Sequence, residues 1–283
     1  MARQLERYQV IERSLLTTYR KDVWSPFILA IKRYEMIQAG DKIAVCISGG
    51  KDSMILAKLM QQLQKISDVP FDLVFLSMDP GYNSANRKKI EDNAKLLNIP
   101  IQFFESDIFE VTARTEKNPC YLCARMRRGF LYNKAKELGC TKIALGHHTS
   151  DVIETTLMSI LYSGQIQGML PKVQSTNFEG MQLIRPLYCV LEKDIIRWVR
   201  ANKLEFIACA CRLTEATEHE DGGMVSARKE TKKLIEQLSK QIPELEDHIF
   251  QSTHNVQLET MVEFKYDDKR YSFLDKFDDK HKK

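Results

Sequence analysis

The stretch Ile43-Ala-Val-Cys-Ile-Ser-Gly-Gly-Lys-Asp-Ser53 decides the fold. An apolar run ends in a serine and two glycines, and a segment with apolar residues at helical spacing follows. This pattern predicts a buried strand that turns through Ser48-Gly49-Gly50 into the N-terminus of a helix. A helix N-terminus presents unpaired backbone N–H groups and the positive end of the helix dipole, so the turn predicts an anion site.

The polar residues of this turn favour phosphate together with a divalent cation. Glycines let phosphate oxygens approach the backbone, and Ser48 and Ser53 add hydroxyl groups. Asp52 brings a negative charge, which suits a phosphate site if a divalent cation lies between the carboxylate and the phosphates. The spacing differs from the Walker A pattern G-x-x-x-x-G-K-S/T. The competing interpretation is an ordinary Gly-Gly turn between a strand and a helix.

A second strand–helix junction supports the first. A short buried strand is predicted at residues 142–145, and Gly146-His-His-Thr-Ser-Asp-Val-Ile-Glu-Thr155 follows it. Thr149 or Ser150 is expected to cap the next helix. Ligands of open parallel sheets bind beyond the carboxyl ends of the strands, so both junctions are expected to face one crevice. The competing interpretation is that Asp151 is only a first-turn acid and that one of the two histidines is structural.

The rest of the chain predicts an α/β fold, with a Rossmann-like parallel sheet, helices on both faces and helical additions at both ends. Strands are predicted near residues 42–47, 71–78, 101–104, 142–145 and 181–185. Helices are predicted near residues 53–66, 84–97, 122–138, 192–202, 226–240 and 243–253.

Four units are expected along the chain. Residues 1–40 form an N-terminal helical extension, whose second helix is expected to begin with Ser25 as cap and to stop at Gly40. Residues 41–205 form the α/β domain, and residues 206–263 form a C-terminal helical region with the second cysteine pair. Residues 264–283, rich in Lys and Asp, are expected to be a mobile tail.

Composition excludes few classes of protein. Hydrophobic residues make up 43% of the chain, which is enough for a sizeable core, and the net charge is only +4. No apolar run approaches the length of a membrane-spanning helix, so no membrane partner is expected. The chain has an odd number of cysteines, seven, and no signal-peptide pattern, which favours a reducing cytoplasm over a disulfide framework.

The cysteines divide into two groups. Cys46, Cys140 and Cys189 lie in or beside apolar segments and are predicted to be small core residues. The other four form two pairs, a C-x-x-C at Cys120 and Cys123 and a C-x-C at Cys209 and Cys211. If the fold brings these two pairs together, their four thiolates can bind one metal centre. Spacing alone leaves zinc, an iron–sulfur cluster and no metal all open.

Both junctions carry a family resemblance. The first resembles the S-G-G-x-D-S loop of PP-loop ATP pyrophosphatases, which split ATP between the α- and β-phosphates. The second resembles the G-H-H-x-D-D-x-x-E-T signature of PP-loop enzymes that act on tRNA, with Ser150 in place of the first aspartate and Asp151 keeping the second. The stretch from Cys120 to Tyr132 and the segments after it resemble the tRNA 2-thiocytidine synthetase family, over roughly residues 25 to 255.

This resemblance implies a set of site residues. Catalysis is expected from Lys51, Asp52 and Asp151. ATP binding is expected from a larger set: Ser48, Gly49, Gly50, Asp52, Ser53, Gly146 and His147. A 4Fe–4S cluster is expected on three cysteines, Cys120, Cys123 and Cys209, and the shortened C-x-C leaves Cys211 as an alternative third ligand.

The resemblance also implies a reaction. Mg²⁺-ATP adenylates the C2 oxygen of an anticodon-loop cytidine, and a cluster-bound sulfur then replaces that oxygen. Arg125 and Arg128 are expected to contact tRNA phosphates, because they share a helix face beside the first cysteine pair. The expected partners are tRNA and a sulfur donor such as a cysteine desulfurase system, and a homodimer is one open option. Two other functions stay open: a thiotransferase for another RNA base or small molecule, and a non-redox PP-loop amide or amidine ligase.

Overall fold

A six-stranded sheet lies at the centre of the structure, a computed structural model that describes residues 5–106, 119–207 and 224–277. Its strands in chain order are β1 Lys42–Cys46, β2 Asp72–Asp79, β3 Ile101–Glu105, β4 Lys142–Ala144, β5 Lys172–Gln174 and β6 Gln182–Ile184. They lie in the order β3-β2-β1-β4-β6-β5, and every neighbouring pair is parallel except β5 with β6. The predicted α/β fold with a mostly parallel sheet is confirmed.

Helices connect the strands of the sheet, and further helices come before its first strand and after its last strand along the chain. In chain order they are α1 Arg7–Leu16, α2 Ser25–Arg33, α3 Lys51–Ile66, α4 Ser84–Leu97, α5 Pro119–Glu137, α6 Thr149–Ser163, α7 Glu192–Ala201, α8 Met224–Ser239 and α9 Leu245–Ser252. The helices predicted after residue 50 are confirmed to within a few residues at their ends. Within the described ranges, no helix is both long enough and apolar enough to cross a lipid bilayer.

The strand order reverses direction between β1 and β4. From β1 the chain runs outward on one side through β2 and β3, and it later returns to add β4 and β6 on the other side. Val45 of β1 accordingly pairs with Phe75 of β2 on one side and with Ala144 of β4 on the other. A crevice opens beyond the carboxyl ends of two strands at such a reversal. The loops that follow β1 and β4 therefore lie side by side.

Strand β1 is buried on both faces, as its unbroken apolar run predicts. Ile43 and Val45 belong to the core cluster that contains the buried face of α3. Ala44 and Cys46 point to the opposite face and pack in a cluster with Tyr132 of α5. The alternation follows the two-residue period of a strand.

The predicted core cysteines lie inside or near the edge of these clusters. Cys46 and Cys140 are buried and Cys189 is half-buried, and all three are free thiols. Burial raises the pKa of the Cys46 thiol to about 12. Cys46 is therefore an unreactive core residue, as predicted.

The N-terminal extension differs from the prediction at both ends of its second helix. Ser25 is the first residue of α2 and not its cap, because a π-helical turn at Arg20–Trp24 runs directly into it. The helix ends at Arg33, well before Gly40, because Glu35 adopts a positive φ of 48° that no helix can continue through. Both predicted boundaries were wrong for these local reasons.

Two short β segments went unpredicted. Strand β5 is a three-residue edge strand with a single strongly apolar residue, Val173, which is too little for a period-two pattern. Near the C-terminus, β7 Glu263–Tyr266 and β8 Lys269–Ser272 form a hairpin. Its turn residues Asp267 and Asp268 both have positive φ, as a type I′ turn requires. The described part of the predicted tail therefore has regular structure, while the predicted unit boundaries stay predictions.

Candidate active site

The loop between β1 and α3 needs glycine at its centre. Gly49 has a φ of +83°, a conformation that other residues rarely adopt. A β-carbon at this position would lie 2.6 Å from Ile90 Cγ1 and 2.7 Å from Ile207 Cδ1. The side chains of Ile90 and Ile207 therefore pack directly on this residue, and a side chain at position 49 would have to displace them or the loop.

The two serines of this loop close it on itself. Ser53 Oγ donates to the carbonyl of Gly50 at 3.0 Å and accepts the backbone N–H of Ser48 at 3.1 Å. Gly50 precedes the first turn of α3, and no side chain caps that turn within the described residues. The first-turn N–H groups of α3 are thus left for an external acceptor, and their dipole favours an anion.

The second loop presses directly against the first. A β-carbon added to Gly146 would lie 3.0 Å from the carbonyl carbon of Asp52 and 3.1 Å from the backbone nitrogen of Ser53. Contacts this short favour glycine, because the atoms on the other side belong to the backbone and would have to move to admit a side chain. The expectation that both junctions face one crevice is confirmed.

His148 caps α6, in place of the predicted Thr149 or Ser150. Its Nδ1 accepts the N–H of Asp151 at 3.3 Å, and Asp151 Oδ2 accepts the N–H of His148 at 3.0 Å, which forms a reciprocal capping box. Thr149 is already helical and is held through its hydroxyl, which donates to the carbonyl of Tyr188 at 2.8 Å. The cap gives His148 a structural role, in keeping with the interpretation that one histidine of the pair is structural.

His147 is the histidine that faces the site. Burial lowers its pKa to about 4, so the imidazole is neutral at ordinary pH. Its Nδ1 atom is buried without a hydrogen-bond partner among the described residues. A neutral ring with a free nitrogen in a cleft is suited to bind a ligand by a hydrogen bond and is unsuited to act as a charged acid.

A cavity of about 330 Å³ lies between the two loops. One part of its wall is polar and the other is apolar with one arginine. The polar part contains Ser48, Asp52, Ser53, Gly146, His147 and Asp151, and the other part contains Cys46, Ile47, Met78, Tyr82, Arg127, Leu131 and Leu145. Such a wall suits a ligand with an anionic end and a flat, weakly polar ring.

Asp52 offers a free oxygen to this cavity. Its Oδ2 pairs with Lys51 Nζ at 3.0 Å. Its Oδ1 is buried with no hydrogen bond among the described residues, and His148 Nε2 lies 3.8 Å from it. A carboxylate oxygen left open beside an anion site fits a hard divalent cation that also binds phosphate oxygens.

Helix α8 contributes charged residues that the sequence analysis did not assign to the site. Arg228 donates to Asp151 Oδ1 and to Glu154 Oε2, both at 2.7 Å. Lys232, one turn later, donates to Glu192 Oε2 at 2.6 Å. Four basic residues lie close together in the sequence here: Arg228, Lys229, Lys232 and Lys233. Arg228 and Lys232 pair with acids around the cavity, and spacing along the chain does not reveal such a pairing across the fold.

The predicted metal and RNA sites include five residues whose side chains lie outside the described residues. Helix α5 begins at Pro119, which places Cys120 and Cys123 among its first five residues, but their side chains and that of Arg125 are outside the described residues. Cys209 and its alternative Cys211 are also outside them. Ile207, the last described residue before Cys209, packs on Gly49. In the described part of the chain, no three His, Cys, Asp or Glu side chains are grouped as a metal site.

The arginines after the first cysteine pair diverge. Arg128, predicted to contact RNA, is exposed to solvent. Arg127, one residue earlier, lines the cavity. Its position beside the site could have been recognised only with the packing of α5 against β2 and β4 in hand.

The chain resembles proteins of known family. Residues 25–211 match the model of the PP-loop domain family. A tRNA-cytidine(32) 2-sulfurtransferase of Anaeromyxobacter dehalogenans is 34% identical over 230 residues, which is 80% of this chain and 76% of that relative. One from Acinetobacter baumannii is 36% identical over 234 residues, 80% of this chain and 73% of that relative. One from Neisseria meningitidis is 40% identical over 183 residues, 64% and 57% of the two chains.

A solved structure agrees with the fold. The U34-tRNA thiolase NcsA from Methanococcus maripaludis, solved with its 4Fe–4S cluster, superposes with a TM-score of 0.65 at 20% sequence identity. The match covers 85% of this chain and 80% of that one. At this identity the similarity supports the architecture of the sheet and its helices.

Proposed function

The chain belongs to the PP-loop family, together with its tRNA-cytidine(32) 2-sulfurtransferase relatives, and on that basis we propose that it is an ATP-dependent tRNA thiolase. It replaces the C2 oxygen of an anticodon-loop cytidine by sulfur. The observation that carries the proposal is the contact of Gly146 with the backbone of Asp52 and Ser53, which makes one cavity of an anion-binding turn and a second loop. The relatives favour this function over the amide or amidine ligase that the sequence also left open.

The reaction has two steps that balance. In the first, the C2 oxygen of cytidine attacks the α-phosphorus of ATP, and the bond from that phosphorus to the bridging oxygen breaks. Pyrophosphate leaves with the bonding electrons, and the base is left adenylated on oxygen. In the second, a sulfur nucleophile adds to C2, the C2–O bond breaks, and AMP leaves with that oxygen.

The residues around the cavity supply positioning and charge for the first step. The N–H groups at the start of α3 and the Lys51 ammonium face the negative charge of the triphosphate. Asp52, with its open oxygen, would hold Mg²⁺, and that ion would offset the negative charge of the triphosphate. Gly146 allows the close approach of the second loop, neutral His147 binds by hydrogen bonding, and Asp151 helps to organise the polar wall.

Sulfur delivery is assigned to the cysteine pairs. Cys120, Cys123 and Cys209 would hold a 4Fe–4S cluster, with Cys211 as the alternative third ligand. Two observations support this assignment: Cys120 and Cys123 are three residues apart among the first five residues of α5, and Ile207, two residues before Cys209, packs on the anion-binding loop at Gly49. A cluster held by these cysteines would supply the sulfur that replaces the oxygen.

The substrate and partners follow from the chemistry. A cytidine can enter the cavity only when it is unpaired and turned out of its stack, which an anticodon loop allows. Arg125 and Arg128 would contact tRNA phosphates from α5. A sulfur donor such as a cysteine desulfurase system would reload the site, and a tRNA substrate implies a cytoplasmic location. A homodimer is also proposed, and light scattering of the purified protein tests it.

A deletion strain tests the function. Nucleosides from its total tRNA are expected to lack 2-thiocytidine, and the wild-type gene is expected to restore it. Asp52→Asn is expected to fail in this rescue, because it removes the charge that holds the metal ion. Asp92→Asn, which changes an exposed aspartate paired with Lys88, serves as the matched control and is expected to rescue. Unchanged 2-thiocytidine in the deletion strain would contradict the proposal.

A further inference from the structure

A chain of ion pairs joins the first turn of α3 to α8 through Glu192. The Lys51 ammonium lies 3.0 Å from Asp52 Oδ2 and 2.9 Å from Glu192 Oε1. The other carboxylate oxygen of Glu192 accepts a hydrogen bond from Lys232 Nζ at 2.6 Å. Each oxygen of Glu192 therefore engages a different lysine, which restricts the rotation of the carboxylate and fixes the position of the Lys51 ammonium.

Ser150 fixes the backbone that carries this carboxylate. Glu192 is the first residue of α7, and the preceding residue makes no side-chain cap. Ser150 Oγ instead accepts the N–H of Glu192 at 3.2 Å. The serine that replaces the first aspartate of the tRNA-enzyme signature thus ties α6 to α7 without placing a further charge beside Glu192.

The carboxylate stays charged in this setting. Burial alone would raise the pKa of Glu192, but hydrogen bonds from Lys232 and Lys51 bring it down to about 2. Burial likewise opposes the charge on Lys51, but Asp52 and Glu192 raise its pKa above the ordinary value. A permanent negative charge near a phosphate site repels ATP, so Glu192 is useful there only through what it holds in place.

We propose that Glu192 is a positioning residue for adenylation, which holds the Lys51 ammonium at the start of α3 where the phosphates of ATP bind. This inference rests on the proposed function, because it needs ATP at the Ser48–Ser53 loop. It predicts a separation of binding from rate. Loss of the carboxylate charge removes a repulsion from ATP, so affinity is kept, but it releases Lys51 and so slows the reaction.

Glu192→Gln in the full-length protein tests this prediction. The kcat for pyrophosphate release with tRNA is expected to fall about 10- to 100-fold, the scale of loss when a group that contacts the reacting phosphates is misplaced. The Kd of α,β-methylene ATP, measured by calorimetry, is expected not to weaken, and Tm is expected to stay at the wild-type value. Glu246→Gln is the matched control. Glu246 lies on α9 and pairs with Lys193, the residue after Glu192 on α7, at 3.5 Å in a more exposed setting. This control variant is expected to leave kcat, Kd and Tm unchanged.

Three results overturn the inference. They are a wild-type kcat in Glu192→Gln, tighter analogue binding with no loss of kcat, and a loss of analogue binding as large as the loss of kcat. If Glu192→Gln does not fold, Lys232→Met removes one of the two restraints on the carboxylate and is expected to lower kcat about two- to fivefold, the scale of a partly exposed ion pair. No change in that variant also overturns it. A wild-type protein that forms no pyrophosphate with tRNA would contradict the proposed function itself, and this inference would fall with it.

Discussion

Gly146 and Asp52 are in close contact: a β-carbon on Gly146 would lie 3.0 Å from the carbonyl carbon of Asp52, so a methyl group fits there only if the backbone of Asp52 moves. The two residues are far apart in the chain and follow the adjacent parallel strands β1 and β4. The close approach brings the polar wall of the cavity together from two separate motifs. The geometry of the cavity therefore depends on the small size of residue 146, and an added methyl group there is expected to disturb the site.

Gly146→Ala tests this contact. The added methyl group must push the Asp52 backbone away, which would move the N–H groups that face the triphosphate. We expect the variant to lose most of its pyrophosphate release and about 1 to 3 kcal/mol of stability, as overpacking typically costs. Gly129→Ala is the matched control, because a β-carbon there meets no atom within 4 Å and the site lies inside helix α5. Wild-type turnover by Gly146→Ala would show that the contact is dispensable.

The lowered pKa of His147 predicts how the stability of the protein depends on pH. Its pKa is near 6.5 in an unfolded chain and about 4 in the folded protein, because burial disfavours the charged ring. Between these values the unfolded chain binds a proton that the folded protein does not. The free energy of unfolding therefore falls as the pH drops from 6.5 towards 4, by up to about 3 kcal/mol.

Urea unfolding at pH 7 and pH 5 measures this effect. Glu192 does not interfere, because its pKa is lowered and its contribution is lost only below its ordinary value of 4.5. His147→Gln is expected to flatten the decrease in stability between the two pH values, while His248→Gln, at an exposed position, is expected to leave it as in the wild type. An equal decrease in wild type and His147→Gln would show that the ring is not the group responsible.

A variant of Arg128, the exposed arginine of α5, tests RNA binding independently of ATP binding. Arg128→Ala is expected to weaken tRNA binding and to reduce the slope of log K against log salt concentration by about 1, because one phosphate contact is lost. Affinity for an ATP analogue is expected to stay unchanged. Arg127→Ala, one residue earlier but in the cavity wall, is expected to impair turnover more than the salt slope. An unchanged slope in Arg128→Ala with a lower Tm would mean that this arginine is structural.

Serine variants distinguish the cysteines that are proposed to bind the cluster from those that are not. Serine at Cys120, Cys123 or Cys209 is expected to abolish the iron–sulfur absorbance of anaerobically purified protein and to stop sulfur transfer. Serine at Cys211 or at buried Cys140 is expected to be much milder. Loss of absorbance in Cys211→Ser but not in Cys209→Ser would move the third ligand. One stoichiometric zinc on all four paired cysteines would contradict the cluster.

The sequence predicted the fold and the two loops because those depend on local patterns. A buried strand, two glycines and a helix start are all visible in the eleven residues from Ile43 to Ser53. The same local information was ambiguous for the α6 cap, because Thr149 and Ser150 are common caps and His148 is not. It was insufficient for Arg228, Lys232 and Glu192, because charges on separate helices pair only once the helices have packed.

The fate of the C2 oxygen tests the central claim most directly. A tRNA that carries ¹⁸O at C2 of its target cytidine would be incubated with the protein, Mg²⁺-ATP and a sulfide source, and the products would be analysed by mass spectrometry. The account predicts one AMP, one pyrophosphate and one 2-thiocytidine per turnover, with the ¹⁸O in the phosphate group of AMP. Products of ADP and orthophosphate, or ¹⁸O released into water with none in AMP, would contradict it.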